Sequence, residues 1–166
     1  MNFLEFLKEN TVILDGALGT QFQAKGMPAG KSPEYYNIER PELVEEIHRG
    51  YIAAGSDVIY TNTFGANSVK MDIDKVERIV RAGVEIARRA ADGKFVALDI
   101  GPTGALLEPL GSMTFQQAYE VFSQIIRAGA DADIIVIETM SDMAELRAAL
   151  LAARENSSLP VMCSMT

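Results

Sequence analysis

The chain carries one cysteine, Cys163, and one histidine, His48. A single thiol cannot close an internal disulfide, and a cysteine with no second Cys and no His beside it is not a metal centre. Positive charge is also scarce. Fifteen Lys and Arg stand against 23 Asp and Glu, giving a formal net charge of −8 and a pI near 4.7. Nucleic acid and anionic membrane surfaces want clustered cations, so this balance argues against both and fits a small-molecule partner. No apolar run approaches the ~20 residues of a membrane span. The opening residues, Met1-Asn2-Phe3-Leu4-Glu5-Phe6-Leu7-Lys8, lack the basic start and apolar core of a signal peptide. The expectation is a soluble protein of the cytoplasm.

What is present is core. The 166 residues are 48% hydrophobic and 23% charged, ordinary for one globular domain. Four apolar runs each end in a polar cluster: Val12-Ile13-Leu14-Asp15-Gly16-Ala17-Leu18-Gly19-Thr20, Val58-Ile59-Tyr60-Thr61-Asn62-Thr63-Phe64-Gly65, Phe95-Val96-Ala97-Leu98-Asp99-Ile100-Gly101-Pro102 and Ile134-Ile135-Val136-Ile137-Glu138-Thr139. A fifth run, Pro160 to Thr166, contains Cys163, for which a small buried thiol is expected. The runs are too apolar to alternate, as for parallel strands covered on both faces.

Helical periodicity fills the intervals. Residues 41 to 54 place Leu43, Val44, Ile47, Tyr51 and Ala54 on one face, with Pro41 starting the helix and Gly55 ending it. A second helix, about Asp74 to Ala91, buries Val76, Ile79, Val80, Val84 and Ala87 and leaves Arg78, Arg81, Arg88 and Arg89 to solvent. A third begins at the capping box Thr114-Phe-Gln-Gln117 and turns Phe115, Ala118, Tyr119, Phe122, Ile125 and Ile126 inward. Asp142-Met-Ala-Glu145 caps a fourth, which runs through Leu146 and Leu150 towards Arg154. The eight Met residues read as core filler and His48, on a helix flank, as structural.

Alternation of strand and helix permits a doubly wound sheet or a barrel, and polar groups at strand ends favour the barrel. A whole (β/α)8 barrel takes about 250 residues. The reading is therefore α/β, the N-terminal half of a (β/α)8 TIM barrel, about four βα units plus a fifth strand, in one incomplete domain over 1–166. Its open strand edges invite self-association.

Asp15 with Gly16, Ala17 and Leu18 offers a carboxylate beside accessible backbone N–H groups. That combination suits a zwitterion, ammonium to Asp15 and carboxylate to backbone. A plain strand-to-loop turn uses the same residues. The segment is neither a Rossmann nor a P-loop fingerprint, since it lacks a third glycine and a Gly-Lys-Ser/Thr ending. Glu138 follows four aliphatic residues, so it needs a ligand ammonium or a buried base as partner. Asp99 has similar placement, with a turn role open beside Gly101-Pro102. Asn62 and Thr63 could orient a polar substrate or bond to neighbouring strands.

Taken in order, Leu14 to Thr20, Asn37 to Val44, Ile47 to Ile52, Gly55 to Ala66, Asp99-Ile-Gly-Pro-Thr-Gly104 and Ile137-Glu-Thr139 resemble the homocysteine S-methyltransferase family, most closely the N-terminal homocysteine-binding domain of cobalamin-dependent methionine synthases. The resemblance implies a (β/α)8 barrel that binds homocysteine, with Asp15 and Glu138 near the amino group and the amides of Gly16 to Leu18 near the carboxylate. Asn62 and Thr63 would line the same pocket. It also implies a zinc ion on three later cysteines that turns the homocysteine thiol into a thiolate nucleophile, and methylcobalamin as methyl donor on other cobalamin and folate domains. Cys163 falls ahead of the first zinc ligand and takes no metal role, so the expectation is that this chain binds the amino-acid end of the substrate, needs a C-terminal half-barrel as partner, and transfers no methyl group alone. Two other readings compete. One is a non-catalytic half-barrel that forms a homo-oligomer or pairs with a separate second half. The other, an aldolase or sugar-phosphate isomerase, lacks a strand-end Lys and the usual phosphate site.

Overall fold

The structure, a computed structural model, describes residues 2–166. Helix α1 (Phe3–Glu9) opens the chain, closed at its start by a reciprocal capping box between Asn2 and Glu5. Helix α2 (Leu18–Ala24), a short 3-10 turn at Pro33–Tyr35 and α3 (Tyr36–Glu39) lead to α4 (Pro41–Ala53). From there strand and helix alternate: β1 (Val58–Tyr60), α5 (Ile73–Ala90), β2 (Phe95–Ile100), α6 (Phe115–Ala128), β3 (Ile134–Met140), α7 (Met143–Asn156) and β4 (Val161–Met165). The four strands form one parallel sheet in the order β1-β2-β3-β4. Sequential parallel neighbours joined by helices are the (β/α) pattern.

The register sorts the side chains into two faces. Val58 pairs with Phe95, Tyr60 with Ala97, Ala97 with Ile134, and Asp99 with Val136. Because successive side chains point to opposite faces, Val58, Tyr60, Phe95, Ala97, Asp99, Ile134, Val136 and Glu138 share one face. Its lower part is closed by α1. Phe3 packs among Val58, Ala97, Ile134 and Val136, and the Phe3 and Phe6 rings meet Phe95 at centroid distances of 5.4 and 5.3 Å. The opposite face, with Leu98, Ile100, Ile135 and Ile137, is buried under α5, α6 and α7 through Val80, Phe122, Ile126, Ala149 and Ala152. Apolar residues thus fill one end of the inner face and leave its C-terminal end to Tyr60, Asp99 and Glu138.

Several sequence expectations change in the folded chain. Val12-Ile13-Leu14 is not a regular strand: Leu14 makes one parallel bridge to Val58, and the chain then turns at Asp15. Ala54 is exposed because α4 ends at Ala53, ahead of Gly55 at φ +105°. Phe115 occupies the first turn of α6, beyond the edge of the core, and is exposed. Leu150 is also exposed, because α7 faces the sheet with small residues, Ala148, Ala149, Ala152 and Ala153. Cys163 is exposed because β4 is an edge strand, paired through β3 alone. Of the methionines, Met27, Met71 and Met140 are core, whereas Met143 and Met165 are exposed and Met1 lies outside the described residues. Asp142 caps α7 through Ala144 N at 2.7 Å, but Glu145 does not complete a box. It is buried, and accepts from Thr103 N at 2.7 Å and Thr103 Oγ1 at 2.5 Å, tying the loop after β2 to α7.

Candidate functional site

A cavity of about 540 Å³ opens at the C-terminal ends of the strands. Its wall contains all seven residues singled out from the sequence: Asp15, Gly16, Ala17, Leu18, Asn62, Thr63 and Glu138. It also contains Asp99, Tyr60 and Glu34. Among the described residues, four carboxyl groups and no Lys, Arg or His line it.

Each part of the wall has a local cause. Asp15 is held against β1 by both its backbone and its side chain. Asp15 N donates to Val58 O at 3.1 Å, and Asp15 Oδ2 accepts from Tyr60 N at 3.0 Å. Tyr51 of α4 donates its hydroxyl to Ala17 O at 2.9 Å. A Cβ on Gly16 would stand 2.9 Å from that same tyrosine, so glycine is what lets the ring pass and pin the loop. Ala17 then starts α2 with no side-chain cap.

The Thr61-Asn62-Thr63 segment is bound into the scaffold by a closed circuit. Asp99 N donates to Thr61 Oγ1 at 3.0 Å, and Thr63 Oγ1 donates to Asp99 O at 2.7 Å. The 2.6 Å contact between the hydroxyls must therefore run from Thr61 to Thr63, because Thr63's own proton is already placed. Asn62 Nδ2 donates to Pro33 O at 2.8 Å and to Asn37 Oδ1 at 2.9 Å, while Asn37 Nδ2 donates to Asn62 O at 2.9 Å. Asn62 and Thr63 line the cavity while their donors hold its walls together.

Glu34 is the residue that sequence reasoning missed. It lies on a 3-10 turn, is buried, and accepts from Gly65 N at 2.6 Å and from the Ser32 hydroxyl. The Ser32 contact is local, but the backbone amide that buries Glu34 in the wall lies 31 residues away and leaves no signal in the sequence. Tyr60 was visible only as the last residue of a strand.

The remaining acids are poorly satisfied. Asp99 is 6% exposed, and its Oδ1 is buried with no hydrogen-bond partner among the described residues. Burial, then the charges of Glu138, Asp15 and Glu34, push its carboxyl well above the usual range. Burial also pushes Asp15 up to about 7, against the hydrogen bond from Tyr60, and raises Glu138. The Tyr60 phenol is raised by burial and by the same acids. Thr139, next to Glu138, sits at φ +60°, a conformation a β-branched residue adopts only under constraint, at an irregularity of the β3–β4 pairing between Ile137 and Met140. Chemically, the wall is equipped for a compact cation or for a neutral donor. Among the described residues no group of three or more His, Cys, Asp or Glu could hold a metal ion. No helix among them is long and apolar enough to cross a membrane.

Comparison with known proteins bears on what this wall serves. The family model for homocysteine S-methyltransferase matches residues 12–166. The methionine synthases of Mycobacterium tuberculosis and Mycobacterium leprae are each 33% identical over 92% of this chain, which spans 14% of their length. Among solved structures, the homocysteine methyltransferase MmuM from Escherichia coli shares the fold in its apo form, with a TM-score of 0.77 at 24% identity over 96% of this chain and 61% of that one. Its metallated form also superposes with a TM-score of 0.77, over 92% of this chain and 63% of that one. With all but its first eleven residues matched by the family model, the chain belongs to the homocysteine S-methyltransferase family.

Proposed function

We propose that these residues form the amino-acid-binding half of a barrel that methylates the thiol of homocysteine to give methionine, in the manner of a methionine synthase. The observation that carries the reading is a cavity lined, among the described residues, by four carboxyl groups and no basic side chain, at the C-terminal ends of parallel strands. A zwitterionic amino acid supplies the missing cation. Its ammonium would sit by Asp15 and Glu138, and its carboxylate by the backbone amides of Gly16, Ala17 and Leu18, where α2 begins without a side-chain cap. Asn62 and Thr63 shape the wall, their own donors being engaged by Asn37, Pro33 and Asp99.

The donor set present does not fit the three-cysteine zinc centre that the family resemblance implies, since Cys163 is the sole cysteine and lies outside this wall. On this reading zinc and methylcobalamin belong to other parts of the protein, with the second half of the barrel and the cobalamin and folate domains as partners of residues 1–166. The chain by itself binds substrate and does not turn over.

The test is titration of the chain with L-homocysteine. Glu138→Gln should weaken binding by about 1 to 3 kcal/mol through loss of a charged hydrogen bond. Equal affinity for the two proteins would remove Glu138 from the site, and absence of binding would sink the proposal.

A further inference from the structure

Of the four acids around the cavity, Asp99 has the least obvious employment. Glu34 has a partner on each oxygen, Gly65 N and the Ser32 hydroxyl. Asp15 accepts from Tyr60 N. Asp99 is rigidly held, because its backbone N–H and C=O are both taken by the Thr61 and Thr63 hydroxyls, yet its buried Oδ1 touches no donor among the described residues. A buried carboxylate in that position would be unpaired and would face Glu138 from β3, Asp15 from the turn beside β1 and Glu34 from the 3-10 turn. The remaining titratable group on the wall is the Tyr60 phenol, which supplies no positive charge. Lys70, on the loop after β1, donates to Pro102 O at 2.8 Å and lies over the Phe64 ring, outside the lining.

We propose that Asp99 is the proton-carrying floor of this cavity, releasing its proton to solvent when a primary ammonium enters between it, Asp15 and Glu138. Empty, the site holds its charge down by keeping Asp99 as the neutral acid. Occupied, the ammonium provides the positive charge and donors that the orphaned Oδ1 lacks, so the carboxylate form is favoured. The Asp99 proton leaves as the cation arrives, which limits the change in the net charge of the cavity. Two like-charged neighbours strengthen the coupling to a cation, because each carboxylate opposes the ionisation of the next until positive charge arrives. Asp99 on this account is a further ligand-binding residue, and the inference rests on the amino-acid reading given above only for the identity of the amine.

The experiment is calorimetric titration of the full chain at pH 6.5 in two buffers of different ionisation enthalpy. Three probes separate the parts: L-homocysteine, 3-mercaptopropylamine, which keeps the ammonium but lacks the carboxylate, and 4-mercaptobutanoate, which lacks the ammonium. Asp15, at about 7, is also part-protonated at this pH, so the two amines should each release the Asp99 proton together with a smaller share from Asp15, and 4-mercaptobutanoate none. In Asp99→Asn the release should fall by more than half. Carbon-13 titration of the aspartate carboxyls in the unmutated chain gives a reading independent of the variant: the Asp99 midpoint should lie above the usual carboxyl range in the empty chain and fall on addition of either amine.

Homocysteine binding without proton release, with undiminished release in Asp99→Asn, or with an Asp99 midpoint in the usual carboxyl range in the empty chain overturns this inference and leaves the substrate reading intact. Proton-releasing binding of 3-mercaptopropylamine with no binding of homocysteine upholds the inference and removes the substrate. Failure of both amines to bind overturns both.

Discussion

Asp15→Asn should make the fold more stable at pH 8 and leave it nearly unchanged at pH 4.5, while weakening homocysteine binding. The sign follows from linkage. Burial raises the Asp15 carboxyl from 3.8 to about 7, so the folded chain holds this proton more tightly than the unfolded chain does. Stability from that proton is fully present below about pH 4 and is lost as pH rises through about 7. Complete burial would make the loss about 4 kcal/mol, and the partial exposure of Asp15 reduces it to about 2 to 3 kcal/mol. Asparagine escapes the loss because it has no proton to lose, and its Oδ1 can still accept from Tyr60 N, the 3.0 Å bond that fixes the turn. The chain has no tryptophan, so urea denaturation is best followed by far-UV circular dichroism, with both proteins measured at pH 4.5 and at pH 8. An advantage for Asp15→Asn that grows with pH supports the argument. A variant no more stable than the parent at pH 8, or equally advantaged at both pH values, would refute it.

Other perturbations separate scaffold from site. His48 is completely buried on α4 with neither imidazole nitrogen partnered among the described residues, and burial lowers it from 6.5 to about 4. The parent should therefore lose roughly 3 kcal/mol relative to His48→Leu as pH falls from 7 to 4, read by denaturation at each pH, and a constant difference would remove the effect. Glu145→Ala strips two donors at Thr103 of their acceptor and should cost about 2 to 3 kcal/mol, with faster hydrogen exchange at Thr103 N–H; protection equal to the parent's would count against the tie. Gly83→Ala on α5 gains about 1 kcal/mol of helix propensity but places a Cβ 2.7 Å from Asn37 Nδ2 and 2.9 Å from Thr63 Cγ2. A net loss of about 1 to 2 kcal/mol is expected in the denaturation midpoint, and a stabilised variant would show that the Asn37–Asn62 pair yields easily.

Legibility in the sequence followed the range of the interactions concerned. Helices α4 to α7 were readable to within a residue or two, because a 3.6-residue apolar period and caps such as Thr114 act over a few positions. Strands β2 and β3 were readable for a similar reason: an aliphatic run can go almost nowhere but between two layers. The Val12–Leu14 run has the same composition, yet it makes one bridge to β1, since a ladder depends on neighbours rather than on composition. At the site, Asp15, Asp99 and Glu138 announced themselves as charges at the ends of apolar runs. Glu34 could not, because the backbone amide that holds it belongs to Gly65, and only the fold brings the two together.

Hydrogen-bond satisfaction divides this chain's acids into two kinds. Asp57, outside the cavity wall, accepts from Lys94 Nζ at 2.7 Å and Ile13 N at 3.1 Å, and these bonds, the lysine's first, lower its carboxyl. Asp133 accepts from Arg88 Nη1 at 2.7 Å and Val96 N at 2.8 Å, and Glu145 takes two donors from Thr103. Each of these acids fastens a loop or a strand end. Asp99 and Glu138 stand on the same sheet, at the opposite end from Asp57 and Asp133, and both are raised because burial is not matched by donors. Glu34 and Glu145, near the same C-terminal strand ends, do have donors, so the fold is able to pair acids there. Leaving Asp99 and Glu138 without a cation lowers the stability of the empty protein, and the deficit is made good when a ligand brings the charge. Binding of an amine should accordingly raise the denaturation midpoint more at pH 8 than at pH 5, since the protons that must leave Asp15 and Asp99 compete with the amine at the lower pH. Equal shifts at the two pH values would show that these acids serve the scaffold after all.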